Sequence, residues 1–157
     1  MAFVDYINTG TQRIKCINLS ESVGFTGRNR FGDVLVIQGL LRLLNAYSPS
    51  ILSLGSHFAL PEMTGQMDVA TGQAINQFQI MQSHSLLFKY FDGVIEPAKY
   101  KGRILSRFNR GPGVKYLTIT YMHILAVDAA LMNGGGDYIE ALQSMDVRIM
   151  DELLINS

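Results

Sequence analysis

Hydrophobic residues recur every three or four positions after residue 33, and this spacing predicts an amphipathic helix with one apolar stripe. Asp33 is a suitable N-cap for that helix, because its carboxylate can accept hydrogen bonds from the free amides of the first turn. Gly39 lies inside the helix, where glycine costs about 1 kcal/mol relative to alanine, and we expect it to mark the close approach of a neighbouring helix. The stripe consists of Val34, Ile37, Leu40, Leu41 and Leu44.

Two more helices are predicted between residues 68 and 108. Asp68 is placed to cap the first of them, and Pro97 suits the first turn of the other, where its missing amide is not needed. The Asp92-Gly93 pair between them is a turn signal. The apolar faces are formed by Ala74, Ile75, Phe78 and Met81 in one helix and by Tyr100, Ile104 and Phe108 in the other.

Both ends of the chain add shorter elements. Residues 12–19 begin with the alternation of a β-strand, and residues 117–121 alternate before a further helix. That helix ends at three consecutive glycines, after which Asp137 and Glu140 resemble a capping box. A last amphipathic helix follows, with an apolar stripe of Tyr138, Leu142, Met145, Ile149 and Leu153.

The composition of the chain excludes several classes of protein. The chain has 157 residues, 48% of them hydrophobic, and its formal net charge is zero. Disorder is therefore not expected, nor is a dedicated nucleic-acid binder, which usually carries a basic excess. No stretch approaches the roughly 18 apolar residues of a membrane span. The single cysteine, Cys16, cannot form an internal disulfide and is expected to be a small buried residue.

The N-terminal residues do not predict export by the Sec route. They contain neither a basic region nor a long apolar run, and both are features of a signal peptide. The sequence is therefore compatible with a cytoplasmic protein or with a protein that is exported by another route.

Basic residues are concentrated in one segment. Residues 99–115 contain six of the thirteen basic residues and no acidic ones. Arg103 and Arg107 are one helical turn apart and share a face, with Tyr100 nearby. This face is either a patch for anions, such as glycan carboxylates, nucleic acid or an acidic protein surface, or a solvated helix face that pairs with the acidic C-terminal helix.

No catalytic or metal-binding motif is visible. The three histidines, His57, His84 and His123, lack the i, i+4 spacing of a helical metal site. A Gly-x-Ser-x-Gly elbow is absent, and residues 134–136 lack the Lys-Ser/Thr that follows a phosphate-binding loop. We therefore predict no enzyme activity, no metal and no cofactor.

An ordered set of motifs runs from Asp33 to Leu105. It comprises an apolar helix with an internal glutamine, a helix that ends in Phe-Gln, an Asp-Gly-Val turn and a proline-started helix. This order resembles the peptidoglycan-binding-like domain family, a three-helix module found beside many cell-wall hydrolases. The matching residues are Val36, Gln38, Leu40, Leu41, Leu44, Gly65, Asp68, Thr71, Ala74, Ile75, Phe78, Gln79, Asp92, Gly93, Val94 and Pro97.

The helix entry also resembles one subgroup of that family, and other positions depart from it. Residues 27–30, Gly-Arg-Asn-Arg, precede Asp33 as in an Asn-Arg-Pro-x-Asp-Val motif, with Phe31 in place of the proline. The loop at residues 48–64 and the gap at residues 80–91 are longer than usual. The glycine that often follows Asp-Gly-Val is replaced by Glu96, after Ile95.

The resemblance implies both a fold and a ligand. The fold would be mainly α-helical, with an N-terminal extension over residues 1–32, a peptidoglycan-binding-like three-helix module over residues 33–108 and a C-terminal helical extension over residues 109–157 packed on the module. The ligand would be peptidoglycan or muropeptide, bound without catalysis in a shallow groove beside the third helix. The residues expected to contact it are Gln82, Tyr100, Arg103 and Arg107.

Two other functions remain open at this point. The chain could be a protein-interaction or structural accessory component of a bacterial secretion or phage-like apparatus, with the 48–64 loop or the C-terminal helix as its partner surface. The third possibility, a small cell-wall hydrolase, is the weakest because no catalytic set is visible.

Overall fold

The computed structural model describes residues 2–8, 13–86, 92–98, 116–132 and 137–149. It is mainly helical, with a short two-stranded sheet near the N-terminus, which confirms the predicted fold class. Short 3-10 turns lie at Pro49–Ile51 and Ser83–Ser85. The other elements are β1 (Phe3–Asn8), β2 (Arg13–Asn18), β3 (Val23–Gly24), α1 (Phe31–Tyr47), α2 (Val69–Met81), β4 (Val94–Ile95), α3 (Thr118–Met132) and α4 (Tyr138–Met145).

The strands form two antiparallel pairs. β1 and β2 form a hairpin in which Phe3 lies opposite Asn18, so the strand predicted at residues 12–19 is confirmed. β3 pairs with β4, with Val23 opposite Ile95 and Gly24 opposite Val94. The second pair places the segment before α1 beside the segment after the Asp92-Gly93 turn.

α1 lies at the centre of the fold. It contacts α2, α3, α4 and β3, and the apolar side chains of these elements form one buried cluster. Leu35 and Val36 are completely buried, although they lie off the predicted stripe. A Cβ atom on Gly39 would lie 3.1 Å from the Leu142 side chain of α4 and 3.1 Å from Met63. The expected close approach of a helix at Gly39 is therefore confirmed.

The predicted N-cap role of Asp33 is wrong. α1 begins at Phe31, and its N-cap residue is Arg30. The completely buried Asp33 carboxylate instead accepts hydrogen bonds from the Ser20 N–H at 2.9 Å, the Ser20 hydroxyl at 2.8 Å and the Glu21 N–H at 3.1 Å. Asp33 therefore fastens the loop before β3 to the first turn of α1.

The other two predicted caps are confirmed. The Asp68 side chain accepts a hydrogen bond from the Thr71 N–H at 2.8 Å at the start of α2. The Asp137 side chain accepts one from the Ile139 N–H at 2.9 Å at the start of α4. In both cases the carboxylate satisfies an amide that has no partner within the helix.

Two predictions near the C-terminus need correction. α3 begins at Thr118, so the alternation predicted over residues 117–121 is mostly helix. The last predicted helix is interrupted, because α4 ends at Met145 and Asp146 has an extended backbone before helical residues 147–149. The apolar stripe nevertheless continues across the break, since Ile149 is buried in the core.

The long 48–64 loop is packed against the core. Ile51, Leu52 and Leu54 are buried in the main hydrophobic cluster. The Arg42 side chain of α1 also donates a hydrogen bond to the Pro61 carbonyl at 3.0 Å. The insertion is thus held by apolar packing at its start and by a polar contact near its end.

Candidate functional site

Of the four predicted ligand-binding residues, the structure describes Gln82. This residue follows the last turn of α2, and its Nε2 donates a hydrogen bond to the Ile51 carbonyl at 3.0 Å. The contact ties the end of α2 to the 3-10 turn after α1. The other three residues, Tyr100, Arg103 and Arg107, lie outside the described residues, as does the predicted third helix beyond Ala98.

A buried glutamine of α1 organises the loop before α2. Gln38 is completely buried. Its Oε1 accepts hydrogen bonds from the Thr64 N–H at 2.9 Å and the Gly65 N–H at 2.8 Å. Its Nε2 donates to the Gln66 carbonyl and the Thr71 hydroxyl, both at 3.0 Å. One side chain therefore holds the 64–66 loop against the first turn of α2.

A second buried glutamine organises the turn before β4. The Oε1 atom of Gln79 accepts a hydrogen bond from the Gly93 N–H at 3.0 Å, and its Nε2 donates to the Val94 carbonyl at 3.0 Å. The Thr118 hydroxyl of α3 lies 3.3 Å from the same Nε2. Gly93 has a φ of +68°, which favours glycine at this turn. The predicted Asp-Gly turn is thus fixed by the glutamine of the Phe-Gln pair.

A third amide holds the segment after β4. Asn18, at the end of β2, accepts a hydrogen bond at Oδ1 from the Ala98 N–H at 3.0 Å and donates from Nδ2 to the Ala98 carbonyl at 2.5 Å. Since Gln79 holds Gly93 and Asn18 holds Ala98, the strand segment between them is fixed at both ends. Pro97, predicted in the first turn of the third helix, is not helical, and the predicted helix from residue 99 onward lies outside the described residues.

Two exposed phenylalanines, neither of them among the predicted site residues, flank the start of α2. Phe25 is 58% exposed and Phe31 is 42% exposed. A Cβ atom added to Gly72 would overlap the Phe25 ring, and one added to Gly65 would overlap the Phe31 ring. Each ring therefore rests on a glycine. The signal that could have identified them is the presence of two large apolar residues in a loop of Gly, Asn and Arg.

The loop that carries Phe25 is held in one conformation. The Asn29 side chain accepts a hydrogen bond from the Gly24 N–H at 2.8 Å and donates to the Gly24 carbonyl at 2.7 Å and the Gly27 carbonyl at 3.0 Å. The Ser22 hydroxyl accepts another from the Arg28 N–H at 3.1 Å. Asn29 has a φ of +54°, a conformation that asparagine tolerates better than most residues.

Two buried titratable side chains have strongly shifted pKa values. Burial, together with the charge of Asp5, raises the pKa of Cys16 to about 12, so this thiol is a poor nucleophile at neutral pH. Burial lowers the pKa of His123 to about 4. The His123 ring shares a 2.7 Å hydrogen bond with the Tyr138 hydroxyl, which accepts another from the Ile17 N–H at 2.9 Å. These contacts join α3, α4 and β2.

Folding stability should fall as His123 becomes protonated in the unfolded chain. The pKa of His123 in the folded state, about 4, is below the ordinary value of 6.5. The contribution of neutral His123 to folding stability is therefore complete above pH 6.5 and is lost as the pH falls toward 4. Between pH 7 and pH 5 this loss is about 2 kcal/mol. Urea unfolding at both pH values should show that His123→Phe, which retains an aromatic ring, has a smaller loss than the wild type.

A matched control for this measurement is His57→Gln, since His57 is exposed. It should show the same pH dependence as the wild type. An unchanged loss of stability in His123→Phe would contradict the assignment of that dependence to His123.

The described residues contain neither a metal-binding cluster nor a membrane-spanning helix. In those ranges, no group of three or more His, Cys, Asp or Glu side chains could hold a metal ion. Likewise, none of the helices in the described part of the chain is both long and apolar enough to cross a bilayer.

Comparisons with protein-family models, with curated proteins and with solved structures find no match for this chain.

Proposed function

We propose that this chain is a non-catalytic binding protein for bacterial cell-wall peptidoglycan. The observation that carries the proposal is the framework formed by Gln38 and Gln79. Both residues belong to the motif order that resembles the peptidoglycan-binding-like family, and both use their whole amide groups to hold loops. Because both motif residues stabilise loops of the fold, they support a fold shared with that family. The proposed ligand, peptidoglycan, is the one that the resemblance implies.

The proposed groove lies beside the predicted third helix. Asn18 binds Ala98 and Gln79 binds Gly93, and the predicted helix would follow this segment in the chain. Arg103 and Arg107 would pair with muropeptide carboxylates, Tyr100 would stack on a sugar or peptide group, and Gln82 would supply a hydrogen bond. The concentration of basic residues at 99–115 supports an anionic ligand.

Three of the described carboxylates have structural roles that make them unsuited to hydrolysis. Sugar hydrolysis generally needs two carboxyl groups held across the scissile bond. The carboxylates of Asp33, Asp68 and Asp137 accept hydrogen bonds from backbone amides, and Asp33 is completely buried. These three carboxylates are therefore used by the fold.

Co-sedimentation of the purified protein with isolated sacculi tests the proposal. Retention at both low and moderate salt is expected, because a specific groove combines stacking and hydrogen bonds with ion pairs. The double variant Arg103→Ala/Arg107→Ala should bind about tenfold more weakly, since two exposed ion pairs together contribute roughly 1.4 kcal/mol. Lys15→Ala, a change at an exposed cation of β2, is the control and should bind normally.

Two outcomes would count against the proposal. Absence of retention at any salt concentration would contradict wall binding. Unchanged binding by the double arginine variant would contradict the groove beside the third helix.

One observation favours the second candidate, a protein-interaction component of a secretion or phage-like apparatus. Leu131 and Met132, in the last turn of α3, are 67% and 75% exposed. Exposed apolar side chains at a helix end fit a protein interface better than a glycan groove. Neighbouring genes for hydrolases would favour wall binding, whereas genes for an injection apparatus would favour this alternative.

A further inference from the structure

We infer that Phe25, Arg28, Arg30 and Phe31 form a second peptidoglycan-binding surface, in which the aromatic rings stack on sugars and the arginines pair with peptide-stem carboxylates. These four residues are called the Phe25–Phe31 surface below. The inference rests on the proposed function and assigns it a contact region outside the groove beside the third helix. Gln82 lies ten residues after Gly72, which is about 15 Å along α2, so these two residues lie towards opposite ends of that helix.

One buried side chain, that of Gln38, joins the two segments beneath the rings. Gly65 lies three residues before the Asp68 cap, and Gly72 lies four residues after it. Gln38 binds the Gly65 N–H and the hydroxyl of Thr71, the residue next to Gly72. The positions of the two rings relative to each other are therefore set by the core rather than by a free loop.

Further contacts hold the backbone at Phe25 and the side chain of Phe31. The Asn29 contacts fix the loop that carries Phe25, and Phe31 is the first residue of α1. The Arg148 guanidinium lies 5.7 Å from the centroid of the Phe31 ring and is itself held by Asp146 at 2.6 Å. Because little conformational freedom remains to be lost, binding on these rings has a low entropic cost.

The charges beside the rings select a carboxylate-bearing glycan. Arg28 and Arg30 are exposed on either side of Asn29. Glu21 approaches Arg30 at 3.7 Å, but both side chains are solvent-exposed, so this pair is weak and can exchange for a ligand. Peptidoglycan presents apolar C–H faces on its sugars and free carboxylates on its peptide stems. The zero net charge of the chain argues against nucleic acid as the occupant.

The inference is tested by titrating the full chain with a soluble disaccharide-peptide fragment of peptidoglycan and by sedimentation with sacculi. Phe25→Ala should weaken binding about tenfold, because one stacking contact is lost. Gly72→Ala retains Phe25 but displaces its ring, and it should weaken binding similarly. Alanine is the better helix former, so this variant should remain folded. The matched control Leu131→Ala removes an exposed apolar side chain from α3 and should bind normally.

The double variant Arg28→Gln/Arg30→Gln tests whether these two arginines form ion pairs with the peptide-stem carboxylates. It should bind more weakly at low salt and lose part of the salt dependence of the wild type.

The outcomes separate this inference from the proposed function. If the wild type binds sacculi and the Phe25 and Gly72 variants bind equally well, the Phe25–Phe31 surface is overturned and wall binding stands. If the wild type does not bind, both are overturned. Equal weakening by Leu131→Ala would also overturn the inference, since it would show non-specific apolar adhesion.

Discussion

Gln38→Leu is expected to lower the free energy of unfolding by about 4 kcal/mol, because leucine fills the space but leaves buried polar groups without partners. The buried Gly65 N–H and the part-buried Thr64 N–H lose the Gln38 acceptor. The Gln66 carbonyl loses one donor and keeps the Thr64 hydroxyl at 3.2 Å. Each unsatisfied buried group costs roughly 1–3 kcal/mol. Urea unfolding followed by circular dichroism measures the change.

The control for Gln38→Leu is Gln73→Leu, the same chemical change at a partly exposed position of α2. We expect it to alter stability by less than about 0.5 kcal/mol. If Gln38→Leu is within about 1 kcal/mol of the wild type, the account of the 64–66 loop as held by this amide is wrong.

Asp33→Ala is expected to lower the free energy of unfolding by about 3 kcal/mol. The substitution removes three hydrogen bonds to a buried carboxylate, and hydrogen bonds to a charged group are stronger than neutral ones. It also removes the carboxylate that accepts from the N–H groups of Ser20 and Glu21. Thermal or urea unfolding at pH 7 provides the measurement.

Asp137→Ala is the matched control. Asp137 is also an aspartate at a helix start, but it is exposed, and its side chain accepts the Ile139 N–H of its own helix. Its removal should cost about 1 kcal/mol, as for an ordinary N-cap. Equal losses in the two variants would mean that Asp33 acts only on its own helix, which would contradict the contact between α1 and the loop at residues 20–21.

Local signals predicted local structure correctly. The Asp68 cap and the Asp92-Gly93 turn depend on residues within a few positions of each other, so a single sequence contains the information. Asp33 was misassigned because its partners lie twelve and thirteen residues earlier in the chain. A carboxylate near a helix start looks like a cap whichever amides it binds. At the helix break, the Asp146 side chain accepts a hydrogen bond from the Arg148 N–H at 2.9 Å, a polar contact that the hydrophobic stripe does not reveal.

The candidate site was less predictable than the fold. Gln38 and Gln79 were identified as motif residues from their order, but their hydrogen-bond partners lie up to 39 residues away and become visible only in the folded chain. Phe25 and Phe31 were missed because large apolar residues are expected to be buried. Their exposure follows from the glycines beneath them, and a sequence does not reveal which glycine lies under which ring.

The most direct test of the account is a titration of the isotope-labelled protein with a soluble disaccharide-peptide fragment of peptidoglycan, followed through backbone amide NMR signals. Saturable shifts are expected in residues 24–31 and the first turn of α2, together with shifts in the segment that contains Arg103 and Arg107. The α3 signals around Leu131 should remain unchanged. An unchanged spectrum at millimolar fragment would contradict peptidoglycan binding by this chain.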